Sequence, residues 1–163
     1  MEYIIRKIRE DEYPLLCNFL YEAIFIPEGT QPPPRSIINA PELQVYVADF
    51  EKNGDDICFV AQADGAVVGA VWVRVMDDYG HVEDGVPSFA ISLYKEYRGY
   101  GIGTHLMKRM LCELCERGYE KASLAVQKAN YAVKMYIGCG FEIIDENEEE
   151  YIMVCRLNQR GGR

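Results

Sequence analysis

The sequence predicts an α/β (α+β) fold, and three observations carry that reading. Apolar residues switch repeatedly along the chain between the two-residue period of strands and the 3.6-residue period of helices. Asp64-Gly65 separates two apolar runs as a hairpin turn would. The run Phe89-Ala90-Ile91-Ser92-Leu93-Tyr94 leads through Arg98-Gly99-Tyr100-Gly101-Ile102-Gly103 into an amphipathic stretch ending at Arg117. A strand feeding a glycine-bearing turn that opens a helix presents unpaired backbone N–H groups at the positive end of the helix dipole, a ready site for a phosphate group.

Residues 3–8 read as a first strand, and 11–24 as a helix with Leu15, Leu16, Phe19, Leu20 and Ala23 on one face. The proline-rich segment 27–35 breaks regular structure, and 41–50 read as a short second helix with Pro41 at its start. Residues 57–63 and 67–76 flank the Asp64-Gly65 turn, 79–87 form a turn-rich acidic connection, and 88–94 read as the next strand. The helix over 101–117 turns Ile102, Leu106, Met110, Leu111 and Leu114 toward the sheet and stops at Gly118. A strand over 122–126 and a helix over 129–137 follow, and 140–144 with 151–157 close the chain as a hairpin around the acidic run 145–150, a solvated turn. No repeat or second domain is signalled: 1–158 read as a single domain and 159–163 as a disordered tail.

A chain of 163 residues buries enough apolar surface to fold without disulfides. It has no run of 18 apolar residues and no signal-peptide core at its start, so the expectation is a cytoplasmic protein with no membrane partner. Of its six cysteines, Cys17, Cys58, Cys139 and Cys155 fall in apolar patterns and read as reduced core thiols. Cys112 and Cys115 have the spacing of a redox or zinc pair but lie inside a predicted helix with no second pair, so no metal is expected. The net charge of −9 argues against nucleic acid, whose affinity comes from phosphate neutralisation, and favours a cationic or amine-bearing substrate.

The glycine spacing discriminates among phosphate ligands. A dinucleotide site wants Gly-x-Gly-x-x-Gly in the first βα unit, with an acidic residue about 20 positions later. Here the pattern is Arg-x-x-Gly-x-Gly past the middle of the chain. It resembles the pyrophosphate loop of the GNAT superfamily, the GCN5-related N-acetyltransferases. Asn130-Tyr131-Ala132-Val133-Lys134-Met135-Tyr136-Ile137-Gly138-Cys139-Gly140-Phe141-Glu142 resembles the later motif of the same family, in order and at about the same separation.

The resemblance implies the GNAT fold, a central mixed and mostly antiparallel sheet of about seven strands flanked by about four helices. It also implies acetyl transfer from acetyl-CoA (coenzyme A) to a primary amine by direct attack in a ternary complex. In that family the strand before the phosphate loop splays from its neighbour. The N–H and C=O groups near Leu93 and Lys95 would then meet the pantetheine arm, with the Leu93 N–H as a donor to the thioester oxygen. The backbone N–H groups from Arg98 through Gly99, Tyr100, Gly101, Ile102 and Gly103 to Thr104 would hold the pyrophosphate. Arg98 adds charge there or serves as a surface salt-bridge partner. Asn130 hydrogen-bonds the pantetheine, caps its helix, or does both, and Tyr136 is the expected general acid.

The general base departs from the family pattern, which often has Glu about thirteen residues before the Arg; that position is Gly85. Glu83 is the first candidate in its place, with Asp84 and His81 near it, or bulk water strips the proton. Ser92 is a proton relay or an ordinary strand residue, and His105 faces solvent. Segment 27–35 is a simple connector or a wall of the acceptor pocket. Small-molecule amines and protein amines remain open as substrates, and a homodimer remains open as the assembly. Two rival readings stand beside the enzyme: a noncatalytic CoA-sensing module, and a binder of another nucleotide through the same glycine turn.

Overall fold

The structure, a computed structural model, describes residues 1–52, 54–75 and 85–157. Its strands are β1 (Ile4–Lys7), β2 (Ile57–Ala63), β3 (Ala66–Arg74), β4 (Ser88–Leu93), β5 (Lys121–Gln127), β6 (Phe141–Glu146) and β7 (Glu150–Arg156). The helices are α1 (Leu15–Glu22), α2 (Pro41–Gln44), α3 (Ile102–Glu116) and α4 (Ala132–Gly138), with 3-10 turns at Glu10–Glu12, Arg35–Asn39 and Lys95–Tyr97. The strands form one seven-stranded sheet in the order β1-β2-β3-β4-β5-β7-β6. Every pairing is antiparallel except β4 with β5, so the expected mixed, mostly antiparallel sheet flanked by four helices is what the chain forms.

Strand alternation builds a core on each face of the sheet. Ile57, Phe59 and Ala61 of β2 and Val71 and Val73 of β3 join Ile102, Leu106, Met107, Met110, Leu111 and Leu114 of α3. Their neighbours Cys58, Val60, Ala70 and Trp72 join Leu16, Phe19 and Leu20 of α1 with Val47 and Phe50. Successive side chains point to opposite faces, so a strand buried on both faces is a continuous apolar run. Each large apolar side chain so buried contributes roughly 1.5–3 kcal/mol relative to exposure.

Both hairpins form, and Asp64 (φ 53°) and Gly65 (φ 77°) take the left-handed turn that links β2 to β3. The second turn is tighter than the acidic run 145–150 suggested, because Asp145 and Glu146 still pair with Ile152 and Tyr151 at the end of β6 and Glu150 already belongs to β7. Three helices also differ from their sequence reading. The helix expected over 11–24 starts only at Leu15. Pro14 takes its N-cap, and Glu12 turns its carboxylate back onto the Arg9 amide at 2.9 Å, closing a separate 3-10 turn. Ala23 thus falls beyond the helix and is exposed. The helix expected over 41–50 ends at Gln44, because side chains from β3 take the carbonyls that would continue it. Trp72 Nε1 donates to the Tyr46 carbonyl at 2.9 Å and Arg74 to the Val45 carbonyl at 3.0 Å. Asp49 and Glu51 then enter left-handed conformations at φ 52° and 71°. Finally, the helix expected from 129 begins at Ala132, whose amide is capped by Asn130 Oδ1 at 2.9 Å.

None of the six cysteines is in a disulfide; Cys58, Cys139 and Cys155 are buried, Cys17 and Cys115 are half-buried, and Cys112 is exposed. No described helix is long and apolar enough to cross a membrane.

Candidate active site

The one parallel pairing in the sheet is also its shortest. β4 and β5 register at a single pair, Ser88 with Ser123, where the Ser123 amide donates to the Pro87 carbonyl at 2.9 Å. Beyond it the two strands part. On its other side β4 is held along its whole length by β3, from Arg74 opposite Ser88 to Gly69 opposite Leu93.

The Tyr94 amide continues that ladder to the Val68 carbonyl at 3.0 Å. By the alternation of an antiparallel ladder, even-numbered residues of β4 direct their backbone groups to β3, and Ile91 and Leu93 direct theirs into the gap facing β5.

At the end of β4 the chain makes the 3-10 turn Lys95–Tyr97, and then Gly99 and Gly101 adopt φ of 88° and 83°. Gly101 is the N-cap of α3, a left-handed position that a side chain takes only under strain. The first amide bonded within α3 is that of His105, to Gly101 at 3.1 Å. The amides of Gly99, Tyr100, Gly101, Ile102, Gly103 and Thr104 therefore donate to no partner among the described residues. Consecutive free donors at the start of a 15-residue helix form an anion cradle.

Three expectations about the backbone change here. The amide of Arg98 is not part of the cradle, because it closes the 3-10 turn onto the Lys95 carbonyl at 3.2 Å. That bond also takes the Lys95 carbonyl. The Leu93 carbonyl is taken too, by Arg98 Nε at 3.0 Å. What this stretch leaves open toward the gap is the amides of Leu93 and Lys95. The rest of the Arg98 guanidinium faces Glu22 of α1 at 3.5 Å.

Close packing holds the end of β4, the start of α3 and α4 together. A Cβ on Gly69 would sit 2.2 Å from Leu93 Cδ2, so any larger residue opposite Leu93 would force that side chain to shift. A Cβ on Gly103 would lie 3.3 Å from Met135 Sδ and 3.6 Å from Leu93 Cδ1. Neither Gly69 nor Met135 was singled out by motif, although a glycine inside the apolar run Val67-Val68-Gly69-Ala70-Val71 is the kind of signal that marks close approach.

Tyr136 is buried on α4, its ring 6.1 Å from that of Phe141. Its hydroxyl makes no hydrogen bond among the described residues, yet no buried side-chain oxygen or nitrogen there lacks a partner. The phenol oxygen consequently reaches accessible space rather than being sealed in the core. Burial, with Cys139 beside it, pushes the Tyr136 pKa well above the ordinary 10, so the phenol keeps its proton. Asn130 spends its Oδ1 on the α4 cap and retains its amide nitrogen.

The remaining candidates are placed as follows. Ser92 Oγ donates to the Phe19 carbonyl at 2.7 Å, which ties α1 to β4 and commits the hydroxyl proton. His105 is exposed, with Nδ1 3.1 Å from the Tyr3 hydroxyl. Gly85 stands in a turn at φ 82°, before β4 begins. Glu83, Asp84 and His81 lie outside the described residues. Segment 27–35 is secured to α1 at its far end: Tyr21 donates to the Pro33 carbonyl at 2.5 Å, and Arg35 donates to Asn18 at 2.7 Å while stacking over the Tyr21 ring.

A strand pair that parts beside an amide cradle, in a seven-stranded sheet of this order, defines an acetyltransferase fold. The chain belongs to the acetyltransferase (GNAT) family, whose profile matches residues 16–141. No curated protein matches the sequence significantly. Among solved structures, the PaiA N-acetyltransferase of Thermoplasma acidophilum in complex with coenzyme A superposes with a TM-score of 0.71 at 19% identity, over 96% of this chain and 99% of that one. A GNAT phosphinothricin acetyltransferase of Sinorhizobium meliloti in complex with AcCoA gives 0.70 at 18% identity, over 96% and 89%. The ribosomal-protein-S18-alanine N-acetyltransferase of Escherichia coli gives 0.67 at 15%, over 96% and 94%. At these identities the likeness is one of fold.

Proposed function

We propose that this protein transfers an acetyl group from acetyl-CoA to a primary amine by direct attack in a ternary complex. The observation that carries this reading is the unpartnered amide run from Gly99 to Thr104, lying at the end of a strand that has parted from its parallel neighbour. The donor set fits the cofactor: backbone N–H groups suit a pyrophosphate, and the gap beside Leu93 suits an extended pantetheine arm. Two relatives in fold were solved with coenzyme A or AcCoA bound.

Acetyl-CoA supplies an activated thioester; the chain supplies position, charge stabilisation and protons. Holding the amine in line with the thioester makes a bimolecular step effectively unimolecular. The amine nitrogen bonds to the carbonyl carbon, the C–S bond breaks, and its electron pair leaves on sulfur. The Leu93 amide donates to the oxygen on which charge develops. Tyr136, whose burial keeps it protonated, gives its proton to the departing sulfur. Asn130 holds the arm through its free amide nitrogen.

The proton lost by the ammonium goes to Glu83, with Asp84 or His81 as substitutes, or directly to water. Arg98 contributes less by direct contact with phosphate than by the hydrogen bond it makes to Leu93. The acceptor is a cationic amine, in keeping with the net charge of −9 and the acidic residues Asp77, Asp78, Glu83 and Asp84 that precede β4.

The test is a panel of small-molecule and protein amines supplied with acetyl-CoA and read by thiol release. Turnover of at least one amine, with acetyl-CoA raising the melting temperature by mass action, supports the reading. A thermal shift without turnover on any acceptor favours a noncatalytic CoA-binding module, the reading that the absence of a side chain at Gly85 supports. A shift with ATP or NAD and none with CoA overturns both.

A further inference from the structure

Beyond the gap, the end of β4 has a ladder on one side only, yet it must hold the Leu93 amide within a fraction of an ångström of the thioester oxygen to be useful. The support comes from outside the sheet. Arg98 Nε reaches back to the Leu93 carbonyl at 3.0 Å and closes residues 93–98 into a hoop whose interior is already a 3-10 turn. The Leu93–Tyr94 peptide is thereby held at both ends, its carbonyl by Arg98 and its N–H by the Val68 carbonyl at 3.0 Å. The hoop runs directly into the amide cradle at Gly99. One guanidinium therefore fixes the separation between the Leu93 donor and the amides that would hold the pyrophosphate.

The same guanidinium faces Glu22 Oε1 at 3.5 Å, with both side chains about one-third exposed or less. Glu22 is the last residue of α1, the helix that also receives Ser92 Oγ at the Phe19 carbonyl and packs the Phe19 ring 4.9 Å from that of Tyr94. From α1 hangs segment 27–35, fastened by Tyr21 and Arg35. A partly exposed ion pair of this length adds little to stability by itself. Its value lies in direction: it orients the guanidinium so that Nε, rather than a terminal nitrogen, meets the Leu93 carbonyl.

We propose that Glu22 and Arg98 are positioning residues for acetyl transfer: Glu22 aims Arg98, and Arg98 braces the Leu93 carbonyl so that the Leu93 amide and the cradle are held at the spacing one cofactor molecule requires. This rests on the acetyltransferase reading given above. It assigns Arg98 an effect on rate, whereas a direct phosphate contact would give it an effect on cofactor affinity. It also makes α1 the element through which an acceptor seated against segment 27–35 is felt at the thioester.

The experiment combines hydrogen exchange of the free protein with kinetics on Arg98→Gln, Arg98→Lys, Glu22→Gln and the double variant Glu22→Gln/Arg98→Gln. In the free protein, Arg98→Gln and Glu22→Gln should both speed exchange of the bonded amides within residues 89–104, those of Tyr94, Tyr97 and Arg98 above all, while leaving β6 and β7 unchanged. With acetyl-CoA and the best amine, Arg98→Gln should lower kcat roughly tenfold with less than about a threefold change in CoA affinity. Arg98→Lys keeps the charge but not the fork, so it should restore CoA affinity fully and kcat only in part. The double variant should be no slower than Arg98→Gln, because Glu22 acts through the residue already removed. Unchanged exchange over 89–104 overturns the proposal whatever the catalytic result. So does a tenfold loss of CoA affinity at constant kcat, or additive losses in the double variant. A wild-type protein that shows neither CoA-dependent protection nor turnover instead overturns the acetyltransferase reading on which the proposal rests, and the exchange result separates the two failures.

Discussion

The part of the chain before β4 and the part that begins with it are built from the same materials, apolar strands under amphipathic helices, yet they differ in what their backbones leave free. Before β4, side chains reach across to occupy carbonyls: Trp72 and Arg74 hold the segment after α2, Tyr21 holds the proline-rich segment, and Ser92 secures α1 from the strand itself. A part-buried fork of Arg74 on Asp56, both contacts at 3.1 Å, completes that region. From the end of β4 to the start of α3, the chain leaves a run of donors unspent, at Leu93, at Lys95 and from Gly99 to Thr104. Side chains tied to distant carbonyls in this way build a scaffold. A region that withholds its donors is prepared for something else to supply the acceptors.

The sharpest way to break this contrast is at Tyr136, where the withheld group is a side chain. If the phenol protonates the leaving thiolate, Tyr136→Phe should lower kcat by roughly 10²-fold with little change in CoA affinity. Because burial raises its pKa, the parent enzyme should show no alkaline limb from this group up to about pH 10. A variant that turns over the best acceptor at the parental rate, under conditions where chemistry limits turnover, removes Tyr136 from the mechanism.

The next effect in size concerns the cradle. Gly101 meets no neighbouring atom that a Cβ would strike, so the demand on it is conformational, its φ of 83°. Gly101→Val should destabilise the fold by roughly 1–2 kcal/mol through left-handed strain. It should also abolish the thermal shift given by acetyl-CoA, because the amides around it move. Retention of the full shift would mean that the cradle does not hold the cofactor.

These two sites also explain what was legible beforehand. Fixed backbone geometry restricts residue type: positive φ calls for glycine at 99 and 101, and a hairpin calls for Asp64-Gly65, so both could be read from the sequence as a pattern. The sheet was legible for a related reason, since β2 and β3 bury both faces and read as unbroken apolar runs. The helix expected over 41–50 failed because its competitors, Trp72 and Arg74, lie more than twenty residues away, and no local pattern announces a carbonyl taken by a distant donor. Glu22 was invisible for the same reason: its partner Arg98 is 76 positions along the chain. The carbonyls of Leu93 and Lys95 were expected to be open, and each already accepts one hydrogen bond, from a side chain and from a 3-10 turn that spacing does not make evident.

A smaller effect probes the scaffold side. Arg6 holds both oxygens of Glu12, at 2.9 and 2.7 Å, and this fork, aided by the Arg9 amide, lowers the Glu12 pKa from 4.5 to about 2. A carboxylate with a depressed folded-state pKa contributes stability that is fully present above its unfolded value and is lost as pH falls through the folded one. The stability gap between the parent and Glu12→Gln should therefore be constant near neutral pH and shrink between about pH 4.5 and 2. Its plateau should be about 1–2 kcal/mol, reduced by the partial solvation of the pair. CoA affinity should not change, because the fork lies on the scaffold side of the contrast. A pH-independent gap would mean that Glu12 packs rather than titrates there.

The smallest expected effect tests whether the acceptor is recognised in a different way from the cofactor. Backbone amides aimed at a phosphate act at contact distance in a partly enclosed site, so salt screens them little. Solvated carboxylates act over several ångströms of water, where the screening length is about 10 Å at 0.1 M salt. If Asp77, Asp78, Glu83 and Asp84 draw in a cationic amine, its KM should rise severalfold between low and physiological salt, while acetyl-CoA affinity moves less. Reversing Glu83 and Asp84 together to lysine should raise that KM further and flatten its salt dependence, since the attraction being screened has been removed. A loss of kcat in Glu83→Gln alone, with KM unchanged, would separate a role as general base from a role in attraction. If the best acceptor is neutral or anionic, or if the charge-reversed variant binds it as well as the parent does, the acidic residues before β4 are a solvated surface. The difference between the two sides of the site must then lie in packing instead of charge.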